Sequence, residues 1–319
     1  MLLRQLEYLT SLAREQHFGR AAVACHVSQP ALSAGIRKLE AELDVQIVQR
    51  SQRFEGFTAE GEAVLSWALR ILAEREDLDR TLSQMRGGLS GMLRIGAIPT
   101  ALTLAPLLTT PMRERYPGVR FHLASMSSRE IVERLNDYDI EVGMTYVDGE
   151  PLGGVRVVPL YRERYLFLTP DDGALADRAE VGWAEAAGTP LCLLLPVMQN
   201  RRILERNFAE AGASVAPVLE TDTVSALYSH VTSMGLSSII PHAWLHAFGL
   251  PPGTRAVPLA PAARSHQVGL VLPRHDRDSL LARALLATAA EVDIPATLIA
   301  TLRREVPAAI TAADQPIEN

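Results

Sequence analysis

A mainly helical N-terminal domain, one linker helix and an α/β domain of two lobes form the architecture that the sequence predicts, and three changes of pattern predict it. Apolar residues recur at helical spacing from Leu2 to Leu39. Leucines spaced by four and three follow from Leu65 to Leu89. From Met92 onward, apolar runs of strand length alternate with helical stretches. A chain of 319 residues suits such a division, at roughly 150 residues per domain.

Composition sets the bounds. With 48% hydrophobic and 21% charged residues the chain has material for packed cores and too little charge for a disordered polymer. A net charge of -6 argues, taken whole, against a nucleic-acid binder. Residues 1 to 60, however, carry 7 basic and 7 acidic groups, whereas residues 91 to 319 carry 20 and 25. The acidity therefore belongs to the last two thirds. The neutral first segment can gather Arg20, Arg37, Lys38, Arg50 and Arg53 on one face. Two cysteines, Cys25 and Cys192, are too few and too far apart for a disulfide framework or a metal site. The first residues lack the apolar core of a signal peptide, and no apolar run approaches the ~20 residues of a membrane span, so a cytoplasmic protein is expected.

Leu2, Leu3, Leu6, Leu9, Leu12 and Ala13 predict an amphipathic helix over residues 2 to 15. A short helix over Gly19 to Cys25 follows, then a tight turn at His26-Val27, then a helix with Ser28 as N-cap and Pro30 in its first turn. Ala21 and Ala22 allow close helix approach, and Leu32, Ile36 and Leu39 hold the last helix on the core. That leaves Ser28, Gln29, Pro30, Ser33, Ala34, Arg37 and Lys38 on the opposite side, where Gln can pair with adenine, Arg with guanine and hydroxyls with phosphate. A helical hairpin with a solvated polar face is the alternative. Against it stand two short extended runs, Ile47 to Arg50 and Phe57-Thr58, which predict a wing carrying Arg50 and Arg53.

The stretch Phe18-Gly19-Arg20-Ala21-Ala22, His26 to Ser33, Ile36 to Glu40, Leu43 and Phe57-Thr58-Ala59-Glu60-Gly61 resembles the N-terminal winged helix-turn-helix domain of LysR-type transcriptional regulators. Ile47-Val48 stands where that family usually carries Leu-Phe. The resemblance implies double-stranded DNA as partner, with Arg20, Ser28, Gln29, Pro30, Ser33, Arg37 and Lys38 on or beside the recognition helix and Arg50 and Arg53 on the wing. It also implies that the linker helix, residues 59 to 90, pairs two chains into a dimer, and that dimers form tetramers on an interrupted palindrome and communicate with RNA polymerase. A single helix lying on its own domain would show the same leucine spacing.

In the last two thirds, Leu93 to Ile98, Val119 to Ser125 and Ile140 to Tyr146 are strand candidates, with helices near residues 101 to 115 and 128 to 136, which reads as a parallel sheet. A second set runs through Leu191 to Leu195, a helix over Asn200 to Ala211, Ser214 to Glu220, a helix over Val224 to Ser233 and Ser237 to Ile240. Val268 to Leu272 and a helix over Ser279 to Val292 close the domain. Two lobes (91 to 160 with 267 to 295, and 161 to 266) would resemble the type 2 periplasmic-binding-protein fold of the family's effector domain, with 296 to 319 as a tail. Ligands bind such sheets at strand carboxyl ends. Thr100, Ser127, Ser128 and Thr145 on one lobe, and Gln199, Asn200, Arg201 and Thr223 on the other, are the candidate effector contacts, favouring a small anion or carboxylate. Thr100, Ser127 and Thr223 equally suit plain N-caps.

Thr189 to Leu194, Met198 to Ile203, Glu15 to Arg20 and Tyr161-Arg162-Glu163-Arg164-Tyr165 resemble, more narrowly, the regulators beside genes for NAD-linked formate dehydrogenase, which implies formate or a related one-carbon carboxylate as effector. A non-catalytic small-molecule-binding protein or an enzyme on the same fold are the alternatives. The chain carries no Gly-x-Ser-x-Gly elbow, phosphate-cradling loop or His-Glu-x-x-His pair, so neither catalytic residues nor a cofactor are expected. His242 and His246 stand four apart without a third ligand nearby, so no metal is expected.

Overall fold

The computed structural model describes residues 1–49, 54–262, 265–274 and 278–309. The chain divides into two compact units, one ending at Leu89 and one beginning at Ser90.

In the first unit, α1 (Leu3–Glu15) buries Leu6, Leu9 and Leu12 together with Tyr8, while Leu2 and Leu3 stay exposed. The short α2 (Phe18–Ala24) starts on an unusual cap: Nδ1 of His17 accepts from the amides of Gly19 at 3.0 Å and Arg20 at 3.3 Å. A left-handed His26 turns the chain into α3 (Gln29–Leu43), whose N-cap is Ser28 as predicted. Leu32, Ile36 and Leu39 are buried beneath it, with Ala21 and Ala22 at the helix crossing. Glu40, also buried, reaches from α3 to accept from the amides of Ile47 (2.9 Å) and Val48 (3.1 Å). It thereby seats the wing, where Val48 bridges Phe57 and Phe54 packs edge-on against Phe18 and Phe57.

Thr58 then opens the 29-residue α4 (Ala59–Gly87), its hydroxyl accepting from the amide of Gly61 at 2.9 Å. A β-carbon on Gly61 would stand 2.1 Å from the carbonyl oxygen of Ile47, so only glycine lets α4 lie against the wing. The predicted leucine seam divides in use. Leu65 and Leu72 pack on the first unit's own core, whereas Leu78, Leu82 and Met85 remain exposed.

The second unit runs β1 (Ser90–Ala97), α5 (Pro99–Leu102), α6 (Pro106–Arg115), β2 (Gly118–Ser125), α7 (Ser128–Asn136), β3 (Val142–Tyr146), β4 (Val155–Glu163), β5 (Tyr165–Pro170), β6 (Val181–Gly182), α8 (Trp183–Ala187), β7 (Cys192–Leu194), α9 (Gln199–Glu210), β8 (Leu219–Thr221), α10 (Val224–Met234), β9 (Ser238–Pro241), α11 (His242–Phe248), β10 (Thr254–Ala260), β11 (His266–Pro273), α12 (Leu280–Glu291) and α13 (Ile294–Glu305). The helix expected over residues 101 to 115 is two helices, because Pro106 has no amide hydrogen to continue the first.

The first lobe is built on a sheet of order β2-β1-β3-β11-β4 and the second on β6-β10-β5-β9, with β7 and β8 paired beside it. The first sheet is mixed rather than parallel: β2, β1 and β3 run together, but β11 opposes both β3 and β4. The physical reason is the chain's path. It leaves the first sheet through β4 into β5 and returns through β10 into β11, so the returning strand meets β3 and β4 head to tail. The strand expected over Ser214 to Glu220 is only the three residues of β8.

Residues 296 to 305 are not a tail. They lie in α13, whose stripe Ile294, Leu298, Thr301 and Leu302 is buried at helical spacing, with Leu302 and Val306 inside the core that also holds Leu166, Leu194 and Trp244. Among the described residues no single helix is long and apolar enough to cross a membrane. Leu302→Ala should lower unfolding stability by about 2–5 kcal/mol in a denaturant titration, as for a leucine in a packed core; a change under about 0.5 kcal/mol would return this segment to a loose appendage.

Candidate functional site

The face of α3 turned away from the core exposes Gln29, Pro30, Ala34, Arg37 and Lys38, with Ser28 at its start and Ser33 half-buried among them. The Ser28 oxygen accepts from the amide of Ala31 at 3.4 Å, which leaves its hydrogen available to an outside acceptor. Arg20 is less free: its guanidinium donates to the Glu15 carbonyl and lies 3.5 Å from the Glu15 carboxylate. Arg50 and Arg53 lie outside the described residues. What remains is a neutral-to-basic helical face with one amide, one guanidinium, one ammonium and two hydroxyls, the groups that read base edges and phosphates.

In the second unit, the carboxyl ends of β1, β2 and β3 meet where the Ile98 amide bonds the Met144 carbonyl and the Met126 amide bonds the Ala97 carbonyl, each at 3.0 Å. Thr100, Ser128 and Thr145 lie there, all buried, and the Thr145 hydroxyl donates to Ser128 Oγ at 2.9 Å. The Thr100 hydroxyl is buried with no partner among the described residues. From the other lobe, the first turn of α9 brings Gln199 and Asn200, also buried. Gln199 Oε1 has no partner, and its amide nitrogen is 3.5 Å from the Asp148 carbonyl. Asn200 donates to the hydroxyl of Tyr146 at 3.2 Å.

Three of the candidates do other work. Ser127 is a capping box, its hydroxyl and amide both bonded to the Glu130 carboxylate, which those bonds hold below the usual carboxylate range. Thr223 is an exposed N-cap for α10, bonded to the amide of Ala226. Arg201, although buried, is a structural bracket: its guanidinium bonds the Leu194 carbonyl at 2.9 Å and Glu220 at 2.6 Å and lies 3.0 Å from Glu205. The neighbouring Arg202, by contrast, makes a two-pronged ion pair with Glu150 (2.9 and 2.8 Å) that joins α9 to the loop after β3. Nor do His242 and His246 form a pair of ligands: His242 accepts from the Arg164 amide, and His246 lies beside the Thr301 hydroxyl.

Sequence reasoning missed the group at the centre. Glu163, the last residue of β4, is fully buried and accepts from three tyrosine hydroxyls: Tyr146 by a very short bond, Tyr165 at 3.1 Å and Tyr161 at 3.5 Å. The Tyr146 and Tyr165 hydroxyls are themselves 3.3 Å apart. Burial pushes the Glu163 carboxyl up to about 7, against the opposing pull of the three hydroxyls. Burial likewise holds all three phenols well above their ordinary value, so they remain donors at any physiological pH. Because Tyr165 opens β5, this cluster ties the first sheet to the second at the point where the chain crosses.

Residues 86–293 match the LysR substrate binding domain, and residues 3–62 match the bacterial regulatory helix-turn-helix protein of the lysR family. The chain belongs to the LysR family. Within it, the Escherichia coli K12 protein described as DNA-binding transcriptional dual regulator OxyR is 35% identical over 195 residues, 61% of this chain and 64% of that protein. The chain thus spans less than two thirds of that relative's length in the matched region. A second E. coli K12 protein, the uncharacterized HTH-type transcriptional regulator YnfL, is 28% identical over 88% of this chain and 95% of its own length. Among solved structures, a full-length OxyR variant from Pseudomonas aeruginosa superposes with a TM-score of 0.68 at 25% identity, covering 92% of this chain and 98% of that one.

The LysR-family chain carries its cysteines in separate units. Cys25 is half-buried in the first, and Cys192 is buried in β7, where desolvation pushes its thiol up to about 11. Since the thiolate is the reactive species, Cys192 should resist a disulfide reagent in the native protein at pH 7.5 and react fully once unfolded. Rapid native labelling at Cys192, mapped by mass spectrometry, would contradict its placement.

Proposed function

We propose that this chain is a DNA-binding transcriptional regulator of the LysR type that answers to a small effector held between the lobes of its second unit. The observation that supports DNA binding is the exposed α3 face of Gln29, Arg37 and Lys38, set beside a wing that Glu40 and Gly61 hold in place. The exposed Leu78, Leu82 and Met85 on α4 suit pairing with a second copy of the chain, giving a dimer and, from two dimers, a tetramer. Such a protein acts in the cytoplasm on an interrupted palindrome and alters access for RNA polymerase.

The effector site we assign is the group Thr100, Ser128, Thr145, Gln199 and Asn200. Thr100 Oγ1, a buried hydroxyl without a partner among the described residues, can donate to an acceptor-only carboxylate, whereas the unpaired Gln199 Oε1 calls for a donor such as water or a ligand hydroxyl; leaving such a group unpaired costs about 1–3 kcal/mol. Hydroxyls and an amide suit a small carboxylate, and formate or another one-carbon or two-carbon acid is the effector we propose. A peroxide response, which the names of the OxyR relatives raise, is the second reading. Against it, both cysteines would have to act from separate units, and Cys192 is buried with a thiol that holds its proton.

Three outcomes follow. Gln29→Ala and Arg37→Ala should each cost ~1–3 kcal/mol in binding to the operator and relax its sequence preference if they read bases. Equal weakening on all DNA would move them to the phosphates. Calorimetric titration of the full chain with formate and with oxalate should give saturable heat that Thr100→Val abolishes; no heat at millimolar concentration of either sinks the carboxylate reading. Sedimentation equilibrium should find no monomer at micromolar concentration, and a strict monomer would remove the pairing role of α4.

A further inference from the structure

We propose that Glu163 is a proton-operated clamp on the angle between the two lobes, its hold on that angle changing as one proton moves on or off the carboxyl. The argument starts from where its partners sit. Tyr146 and Tyr161 belong to β3 and β4 of the first sheet, while Tyr165 belongs to β5 of the second. Asn200, on α9 of the second lobe, reaches the same point through Tyr146. One carboxyl group therefore gathers hydroxyls from both sides of a chain crossing that any change in lobe angle must bend.

The remaining neighbours complete the account of charge. His266 lies opposite Glu163 in the β4–β11 register, stands edge-on to the Tyr146 ring at 6.1 Å, and bonds Asp148 at 3.1 Å. His242 on α11 lies 6.0 Å from the Tyr161 ring, centroid to centroid, and accepts from the amide of Arg164. The carboxyl itself is bonded by three neutral hydroxyls rather than by a guanidinium or an ammonium. A carboxylate so placed accepts all three at charge-assisted strength, about twice that of neutral bonds. A carboxylic acid donates its proton to one of the three hydroxyl oxygens, whose own hydrogen must then point elsewhere, and the other two bonds fall to neutral strength. No oxidant, metal or effector enters the step; a single proton moves onto or off one oxygen of Glu163.

The sign of the linkage is set by the direction of the shift. The folded protein holds the Glu163 proton more tightly than an unfolded chain, with the carboxyl raised from 4.5 to about 7. The stability this contributes is complete below the ordinary carboxylate value and is lost as pH rises through about 7. At neutral pH the cluster is poised between its two forms.

The test uses the full-length chain without ligand, in two readouts from pH 5.5 to 8.5: the melting temperature and the interatomic distance distribution from small-angle X-ray scattering. Relative to Glu163→Gln, the native protein should lose melting temperature as pH rises, and its distance distribution should shift over the same interval, whereas the variant's distribution stays constant. Groups common to both proteins cancel in the difference. Should Glu163→Gln not fold, Tyr165→Phe removes the second lobe's hydroxyl while leaving the carboxyl, and must move the native transition to higher pH. A melting difference without any change in the distance distribution would make Glu163 a buried acid only and overturn the clamp. So would a Tyr165→Phe transition that coincides with the native one.

Discussion

The effector unit is organised around a carboxyl group that has nowhere else to go. Glu163 is removed from water at the end of one sheet, and stripping an ion of its hydration costs several kcal/mol even after relaxation. Three tyrosine hydroxyls, at roughly 1.5–3 kcal/mol each for bonds to a charged group, offset part of that cost, and burial still prevails, raising the carboxyl to about 7. Neither side of the balance is optional. If the lobes separated enough to draw Tyr165 away, the carboxyl would have to protonate or admit water. The positions of β3, β4, β5 and the first turn of α9 therefore follow from one another through a single buried atom group. The same group places Asn200, and with it the entrance of α9, against the carboxyl ends of the first sheet where Thr100, Ser128 and Thr145 lie.

The first unit solves a related problem with different means. Its α3, the proposed recognition helix, is held firmly at one face and left unencumbered at the other. Glu40 spends a buried carboxylate on two wing amides, and Gly61 forgoes a side chain so that α4 can touch the Ile47 carbonyl. Both expenditures fall on the side away from Gln29 and Arg37. The neutral charge of this unit, inside a chain of net charge -6, gives it little long-range attraction for a polyanion, so in the proposed role on DNA the direct contacts of the α3 face would carry the binding.

Much of this was legible from one sequence, and the failures have a common cause. Short-range features were read correctly because their physics is local: the Ser28 cap and Pro30 at the start of α3, the buried triad Leu32, Ile36 and Leu39, and the capping box at Ser127 and Glu130. Long-range pairing was not. Tyr161-Arg162-Glu163-Arg164-Tyr165 sets three consecutive charged residues between two rings, as an exposed segment would, and nothing in it says that Tyr146 lies opposite or that Glu163 points inward. Arg201 was equally opaque, because its partners Glu220 and the Leu194 carbonyl come from two other strands. The buried stripe of α13, by contrast, stands in the sequence at regular helical spacing, ahead of Pro307 and Pro316.

The most direct test of this account is the protonation of Glu163 itself. In full-length protein labelled with carbon-13 at the glutamate carboxyl, the resonance lost in Glu163→Gln can be followed from pH 3 to 9. The structure requires a single inflection near 7. An inflection at the ordinary carboxylate value of 4.5 would contradict the account, because burial would then not outweigh the three hydroxyls and no proton would move at neutral pH.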